Sequence, residues 1–357
     1  MSNLINHIVK NKEIFIGLED SKKTWKVCIR SGKVTIHEAS MPAEYEVLKN
    51  YFNNKFPDCL IHVMYEAGFR GFGLHDQLKS DGYDCIVTPP HTVTQEKTQR
   101  QKNDRIDCRR LAKNLESGDY HICHVPDRKR REDRQISRLY EQLQRDITRE
   151  CNRIRRALEF HGLDNQFQGG SWYRTHYKKA YERIPEMDIS LSLKFDFSIM
   201  FNELFHLWEL QKQVLKEIHI LAKSEAYKED VDLLKSAPGI GILTAIRLVL
   251  EWGSLDRFHN KAEFSSFLGL IPSEYSSGET ERKGHITKQG NKLVRSWLVE
   301  CAWRTLKYDP VLLQIFNNVV NSSGSRKKAI VAVARKLAIR LRTLLIHRTP
   351  YTVGLVH

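Results

Sequence analysis

Between Ile136 and Leu158 the apolar side chains keep one spacing. Ile136, Tyr140, Leu143, Ile147, Cys151, Ile154 and Leu158 recur at steps of four, three, four, four, three and four. A strand repeats every two residues, so only an α-helix puts these side chains on one side. The stripe is narrow, close to heptads with one stutter, and it predicts a long helix that needs a partner along its length. A second helical pattern runs from about Ile199 to Ala222 and carries Leu204, Leu207, Val214, Ile218 and Leu221. The pair predicts an antiparallel coiled-coil arm or a subunit seam. An ordinary two-helix bundle packed on its own domain fits the same spacing.

The residues ahead of this helix follow another rule. From about Glu13 to Val125, strand-length apolar runs alternate with helical spacing, which predicts a sheet covered by helices. "IFIGLE" (14–19), "TWKVCIR" (24–30), "LIHVMYE" (60–66) and "DCIVT" (84–88) have strand length and pattern. "KVTIHEA" (33–39) can pair back on the second strand across the Ser31-Gly32 turn. "AEYEVLKNYFNN" (43–54) and "GFGLHDQLKSDG" (71–82) have helical spacing. Pro126 and the basic run "RKRRE" (128–132) mark a boundary. The last third, from about Asp230, is helical and basic. The predicted organisation is an α/β domain over 12–125, a helical coiled-coil or linker region over 126–228, and a mainly helical C-terminal domain over 229–350.

Charge narrows the partners. The chain has 357 residues, with Lys+Arg 57 against Asp+Glu 43, a net charge of +14. Such an excess points to an acidic partner, most often nucleic acid. Seven cysteines are scattered, with no CxxC pair, as in a reduced cytosolic protein. "HICH" (121–124) has metal-ligand residue types but lacks a second cluster, and it reads as part of a strand. No signal-length or membrane-length apolar stretch is present, so a soluble, cytosolic protein is expected. In "GGSWYRTHYKKAYERIP" (169–185), Trp172, Tyr173, Tyr177 and Tyr181 stand among cations. These aromatics can stack on unpaired bases. The i, i+4, i+8 spacing of the tyrosines fits a packing stripe equally well.

Three acidic positions lie where an α/β sheet presents chemistry. Glu19 ends the first strand and Glu66 ends "LIHVMYE". Asp104 and Asp107 sit near the start of the predicted helix "NDRIDCRRLAKNL", one turn apart on one face. Carboxylates are hard ligands suited to Mg²⁺ or Mn²⁺. Four of them can hold ions that clamp a scissile phosphate. Lys102, Arg105, Arg109 and Arg110 around them would draw in a polyanion. A DxxD near arginines is also an ordinary set of surface ion pairs.

Two C-terminal stretches add to this. "LLKSAPGIGILTAIRLVL" (233–250) has a Gly239-Ile-Gly241 turn between apolar-periodic segments and resembles a helix-hairpin-helix, whose backbone N–H groups meet a phosphate. A tight interhelical turn without ligand has the same pattern. "GLIPSEYSSGETERKGHITKQGNKLVR" (269–295) reads as a polar loop between helices. Ser276 and Ser277 precede Gly278, and Lys283, His285, Lys288 and Arg295 follow. Those cations can neutralise charge on a phosphate under attack. A serine hydroxyl needs a base or a metal to become a nucleophile.

"FIGLEDSKKTW", "YEAGFRGFGLHDQL", "KNDRIDCRRLA", "APGIGILTA" and the 269–295 block stand in an order that resembles the DEDD-type insertion-sequence transposases. These are kin of the Piv DNA invertase and are known as RNA-guided (bridge-RNA or seekRNA) recombinases. The resemblance covers most of the chain. It implies an RNase-H/RuvC-like N-terminal domain whose acidic quartet, here Glu19, Glu66, Asp104 and Asp107, binds Mg²⁺. It implies a nucleophilic serine, matching Ser277, that forms a phosphoserine link to DNA. It also implies a homo-oligomer (dimer or tetramer) joined through the helical arm, and a structured noncoding guide RNA that pairs with donor and target DNA. The family's first acid is usually Asp. Here Glu19 matches, with Asp20 beside it. Glu19 shares a strand face with Phe15 and Gly17, which favours it over Asp20. Ser276 remains the alternative to Ser277. Rival readings are a RuvC-like nuclease that uses metal-activated water, an RNA-independent site-specific invertase, and a non-enzymatic nucleic-acid-binding protein.

Overall fold

The structure, a computed structural model, describes residues 12–90, 103–164, 174–274 and 283–354. Two compact units meet between Pro126 and Asp127.

The first unit is built on five strands: β1 (Glu13–Asp20), β2 (Thr24–Ser31), β3 (Val34–Pro42), β4 (Leu60–Glu66) and β5 (Asp84–Thr88). Their order is β3-β2-β1-β4-β5. Strand β2 runs antiparallel to both β1 and β3, whereas β4 lies parallel to both β1 and β5. Gly32 (φ 58°) and Lys33 (φ 68°) are both left-handed, as a two-residue hairpin turn requires. Helices α1 (Tyr45–Lys55) and α2 (Gly73–Ser80) cover one face. There Leu48, Phe52, Leu74 and Leu78 pack on Ile14, Ile16, Leu18, Val27, Val63 and Tyr65. Helix α3 (Asp104–Ser117) covers the other, setting Leu111 and Leu115 against Phe15, Met64 and Ile86. Coverage on both faces is why β1 and β4 read as near-continuous apolar runs.

Gly17 lets α3 come close. A Cβ at Gly17 would lie 2.1 Å from the Cys108 carbonyl oxygen and 2.4 Å from the Ala112 nitrogen. Asn103 caps α3, its side chain accepting from the Arg105 N–H at 3.1 Å, and Gly118 ends it in left-handed conformation. One expectation fails here. "HICH" is not a strand; it is an extended segment whose Cys123 N–H donates to the Val87 carbonyl at 2.7 Å. It borders β5 without being part of the sheet.

The second unit begins with α4 (Arg128–Phe160), followed by α5 (Arg174–Arg183) and α6 (Leu191–Ala222). Ile147, Ile154 and Leu158 of α4 are buried against Phe197, Phe201, Leu204 and Trp208 of α6. The two helices run antiparallel, with Gln211 Nε2 donating to Gln144 Oε1 at 2.7 Å and Arg153 paired with Glu203. Gln211 is buried in this seam, and its Oε1 accepts from Arg174 at 3.0 Å. Tyr177 and Tyr181 of α5 pack edge-on and tilted against Phe201, Phe205 and Trp208, so these two tyrosines form a packing stripe. The spacing placed the start of α6 near Ile199. It begins eight residues earlier, capped by Ser190, whose Oγ accepts from the Leu193 N–H.

The remainder is helical: α7 (Lys228–Lys235), α8 (Ile242–Trp252), α9 (Lys261–Phe267), α10 (Lys292–Thr305), α11 (Pro310–Ser323) and α12 (Arg326–His347). Its core centres on α12, where Ala329, Val333, Ala334, Leu337, Ala338 and Leu341 are fully buried. Each buried leucine there contributes about 1.5–3 kcal/mol. The base of the arm joins this core: the buried Glu251 of α8 accepts from Arg138 of α4 and from Asn291, the cap of α10. Arg340 donates to the buried Asp309 at 2.6 Å, and Asp309 also caps α11. The segment expected to be a loop between helices is anchored by a small hairpin, β6 (Pro272–Glu274) with β7 (Lys283–Ile286). No helix among the described residues is long and apolar enough to cross a membrane.

Candidate active site

The sheet's pleat decides which acids meet. Side chains two apart share a face, so Phe15, Gly17 and Glu19 of β1 look toward α3. On β2, Lys26 stands opposite Glu19 and Cys28 opposite Gly17. On β4, Met64 pairs with Gly17, which puts Glu66 one step beyond on the same face, in register with Thr88 of β5. Helix α3 runs over this face with its N-terminal turn, holding Asp104 and Asp107, near the C-terminal ends of β1 and β4. Contacts at its two ends fix that direction. Lys26 Nζ bonds Asp104 Oδ2 at 2.7 Å, while Arg30 Nε bonds Glu116 Oε2 at 2.8 Å. Both aspartates lie in the first turn of α3, at the positive end of the helix dipole.

Two cations hold these acids. Arg110 Nη2 lies 3.0 Å from Asp107 Oδ1 and 3.2 Å from Glu66 Oε1, so one guanidinium bridges a strand end and the helix. Lys26 holds Asp104. Among the described residues no three His, Cys, Asp or Glu side chains come together as a metal ion requires. The donor types still suit a hard divalent cation. Arg110 is also incompletely satisfied where it stands: its Nε is buried and has no partner among the described residues.

Asp20 is engaged elsewhere. It accepts from Trp25 Nε1 at 2.7 Å and pairs with Arg70 at 2.8 Å. Burial raises its carboxyl above the ordinary range, against the pull of Trp25 and Arg70. Arg109 forks onto Glu38, with Nη2 2.8 Å from Oε2, and Arg105 is exposed. Lys102, Ser276 and Ser277 lie outside the described residues, as does the side chain of Lys283.

In the second unit, Gly239 (φ 84°) packs on α10, where a Cβ would meet Arg304 Cβ at 2.9 Å. It also lines a cavity with Arg304, Lys307 and Tyr308. Gly241 caps α8 with open space before it. His285 and Lys288 are exposed. Arg295 turns inward: its Nη1 donates to the carbonyls of Leu268, Gln289 and Gly290, and burial lowers its pKa. The thiols are all free, and burial pushes Cys85 and Cys108 up to about 12, which leaves them unreactive.

Spacing missed Lys26 as the partner of Asp104 and the bridge from Arg110 to Glu66. The signal for Lys26 was its place across the hairpin from Glu19. Nothing local to Arg110 pointed to Glu66.

Comparison with known proteins gives these residues a context. The family model described as "Transposase IS116/IS110/IS902 family" matches residues 231–317. A second model, for the DEDD transposases of IS110, matches residues 16–162, which holds all four acids. The chain is 25% identical over 295 residues to "Transposase for insertion sequence element IS1111A" of Coxiella burnetii, covering 80% of this chain and 75% of the other. It is 26% identical over 345 residues to "Transposase for insertion sequence element IS1533" of Leptospira borgpetersenii, covering 92% and 95%. It is 27% identical over 307 residues to the protein y4qE of Sinorhizobium fredii, covering 84% and 73%. Two models that match separate parts of the sequence and relatives that span most of it converge on one assignment: the chain belongs to the IS110 family of insertion-sequence transposases.

Proposed function

We propose that this transposase is an RNA-guided recombinase that cuts and rejoins DNA strands through a phosphoserine intermediate. Glu19, Glu66, Asp104 and Asp107 form its acidic quartet. The observation that carries this reading is that Glu19 and Glu66 share the sheet face covered by α3, with Arg110 tying Glu66 to Asp107 in the first turn of that helix. The strand order β3-β2-β1-β4-β5, with one antiparallel half, supports an RNase-H/RuvC-like fold for the first unit.

Glu19, Glu66, Asp104 and Asp107 would hold Mg²⁺ or Mn²⁺. A bound divalent ion would polarise the scissile phosphate and favour the ionised nucleophile. Arg110 occupies one oxygen of Glu66 and one of Asp107 and would compete with an ion for them. Once displaced, Arg110 can turn to the phosphate, keeping a cation beside the developing charge. Ser277 is the proposed nucleophile: its Oγ forms the new bond to phosphorus while the strand's sugar oxygen leaves, so a phosphodiester replaces a phosphodiester. Lys102, Arg105, Arg109, Lys283, His285 and Lys288 are proposed contacts to the nucleic-acid backbone. The Gly239–Gly241 turn is a proposed helix-hairpin-helix. The arm of α4 and α6 is a proposed coiled coil that joins subunits of a homo-oligomer. A structured noncoding RNA is the proposed guide.

A second reading has its own support. All four acids belong to the first unit, which would suffice for a nuclease that uses water. A covalent-adduct assay separates the two. Wild type, Ser277→Ala, Ser276→Ala and Glu19→Ala would be incubated with Mg²⁺, element-end DNA and RNA from the flanking noncoding region. The expected result is a denaturant-resistant protein–DNA band lost in Ser277→Ala and Glu19→Ala and kept in Ser276→Ala. Cleaved DNA without adduct, unchanged in both serine variants, would establish the nuclease.

A further inference from the structure

We infer that a cavity between β7 and α12 takes an unpaired nucleotide of a DNA strand. The cavity has a volume of about 430 Å³. That is within the range of roughly 300–1,000 Å³ usual for small-ligand pockets. Its floor is apolar, made by Leu270, Pro272, Ile286, Val331 and Ala332. Its rim is cationic, made by Lys288, Lys327, Lys328 and Arg335, with His285 beside them. Among the described residues no carboxylate lines it, and none pairs with the four rim cations.

The sequence of α12 explains the arrangement. Lys327, Lys328, Val331, Ala332 and Arg335 recur at one-turn steps and so share one side of the helix. Ala329, Ile330, Val333 and Ala334 fill the opposite side and are buried in the core. The first turn is capped by Ser325, whose Oγ accepts from the Lys328 N–H, so anion binding here falls to side chains. Across the cavity, Lys288 is held in left-handed backbone conformation (φ 55°), which a non-glycine residue rarely adopts. The three bonds that Arg295 makes to neighbouring carbonyls keep this turn in place.

A slot with an apolar floor and a cationic rim selects a ligand with a flat apolar part and a negative charge. A nucleotide has both, the base for the floor and the phosphate for the rim. In duplex DNA the base is stacked and its faces are covered, so the slot suits a nucleotide that is out of the stack. Strands β6 and β7 flank the segment that holds Ser276 and Ser277, and a transposase opens DNA strands. The inference rests on DNA as the substrate and not on the serine chemistry.

The test is a photocrosslink in EDTA, where no cleavage is needed. The full chain would be mixed with a single-stranded oligodeoxynucleotide carrying 5-iodouracil, irradiated, and mapped by peptide mass spectrometry. Crosslinks are expected in the peptides of 284–288 and 327–335. Val331→Trp fills the slot and should reduce them about tenfold, in line with the loss of one stacked base. Lys328→Glu and Arg335→Glu should each lower the slope of log affinity against log salt by about one. Lys328 is exposed and Val331 half-exposed, and circular dichroism will verify that each variant is folded. Crosslinks mapping only elsewhere, or unchanged in Val331→Trp, would overturn the assignment. So would an RNA strand of the same sequence displacing the DNA at lower concentration. Loss of the phosphoserine adduct with the crosslink intact would count against the proposed mechanism alone.

Discussion

Gly17 and Cys108 are in backbone contact: a single methyl group on Gly17 would lie 2.1 Å from the Cys108 carbonyl oxygen. Helix α3 rests on β1 at this point, one turn from Asp104 and next to Asp107. Gly17→Ala must push the helix away, because neither the strand nor the carbonyl is a flexible side-chain end. Overpacking of this kind costs about 1–3 kcal/mol, and a backbone clash puts it at the upper end. Urea denaturation should show that loss, and metal-dependent DNA cleavage should fall further than stability does.

Arg110 bridges Glu66 and Asp107 where a divalent ion would bind. Replacing it with glutamine removes a competing cation but leaves two carboxylates close together. Without metal, Arg110→Gln should melt at lower temperature than wild type. Titration calorimetry should show Mn²⁺ binding more tightly to it, by about tenfold for each 1.4 kcal/mol of competition removed. Equal Mn²⁺ affinity in the two proteins would show that the bridge does not oppose the metal.

Neighbouring acids should respond differently. Glu19→Gln removes a proposed ligand on the α3 face and should abolish cleavage with the melting temperature nearly unchanged. Asp20→Asn disturbs the bonds to Trp25 and Arg70 and should lower stability by about 1–3 kcal/mol while cleavage persists. The reverse pattern would make Asp20 the ligand.

Acid should strike the second unit through Asp309. Burial raises its carboxyl, but hydrogen bonds from Tyr351 and the Leu312 N–H and the charge of Arg340 outweigh it, and the net shift is downward. A carboxyl with a depressed folded value adds stability above its unfolded pKa and loses it as pH falls through the folded value. Denaturation followed from pH 6 to pH 2 should show a stability loss, beginning near pH 4, that Asp309→Asn lacks. At pH 7 Asp309→Asn should be weaker than wild type by about 3–5 kcal/mol, since Arg340 is left buried without its charge partner.

Ile154 is fully buried between α4 and α6. Ile154→Ala should cost about 2–5 kcal/mol in chemical denaturation. A value below 1 kcal/mol would mean that the helices separate easily.

Much of the first unit was legible because its periods are short and clean. The alternation in "TWKVCIR" and the length of "LIHVMYE" and "DCIVT" mark strands that form at those residues. The same two-residue period puts Glu19 on the face of Gly17 and Asp20 on the face of Leu18. The start of α6 was hidden for the opposite reason: Leu191, Leu193, Phe195 and Phe197 alternate, which presents no helical stripe. Leu191 and Phe195 are exposed, so burial does not set that end of the helix. The hairpin of β6 and β7 escaped notice because its strands are short and one begins with Pro272. Arg110 shows the limit for the site. Its i, i+3 relation to Asp107 is visible in the sequence, but its bond to Glu66 spans 44 positions and exists only once the sheet has formed.

The buried Gln211, bonded to Gln144 and Arg174, has a consequence for folding fidelity. Apolar stripes on two long helices tolerate sliding by a turn, since leucine meets isoleucine equally well at many offsets. The amide pair does not. One turn out of place, the buried Gln211 would lose both partners and face hydrocarbon, at about 1–3 kcal/mol for a buried group left unpaired. The pair thus acts as a key that fits one alignment. It adds little strength to the arm and sets instead how far the tip stands from the base, copy after copy.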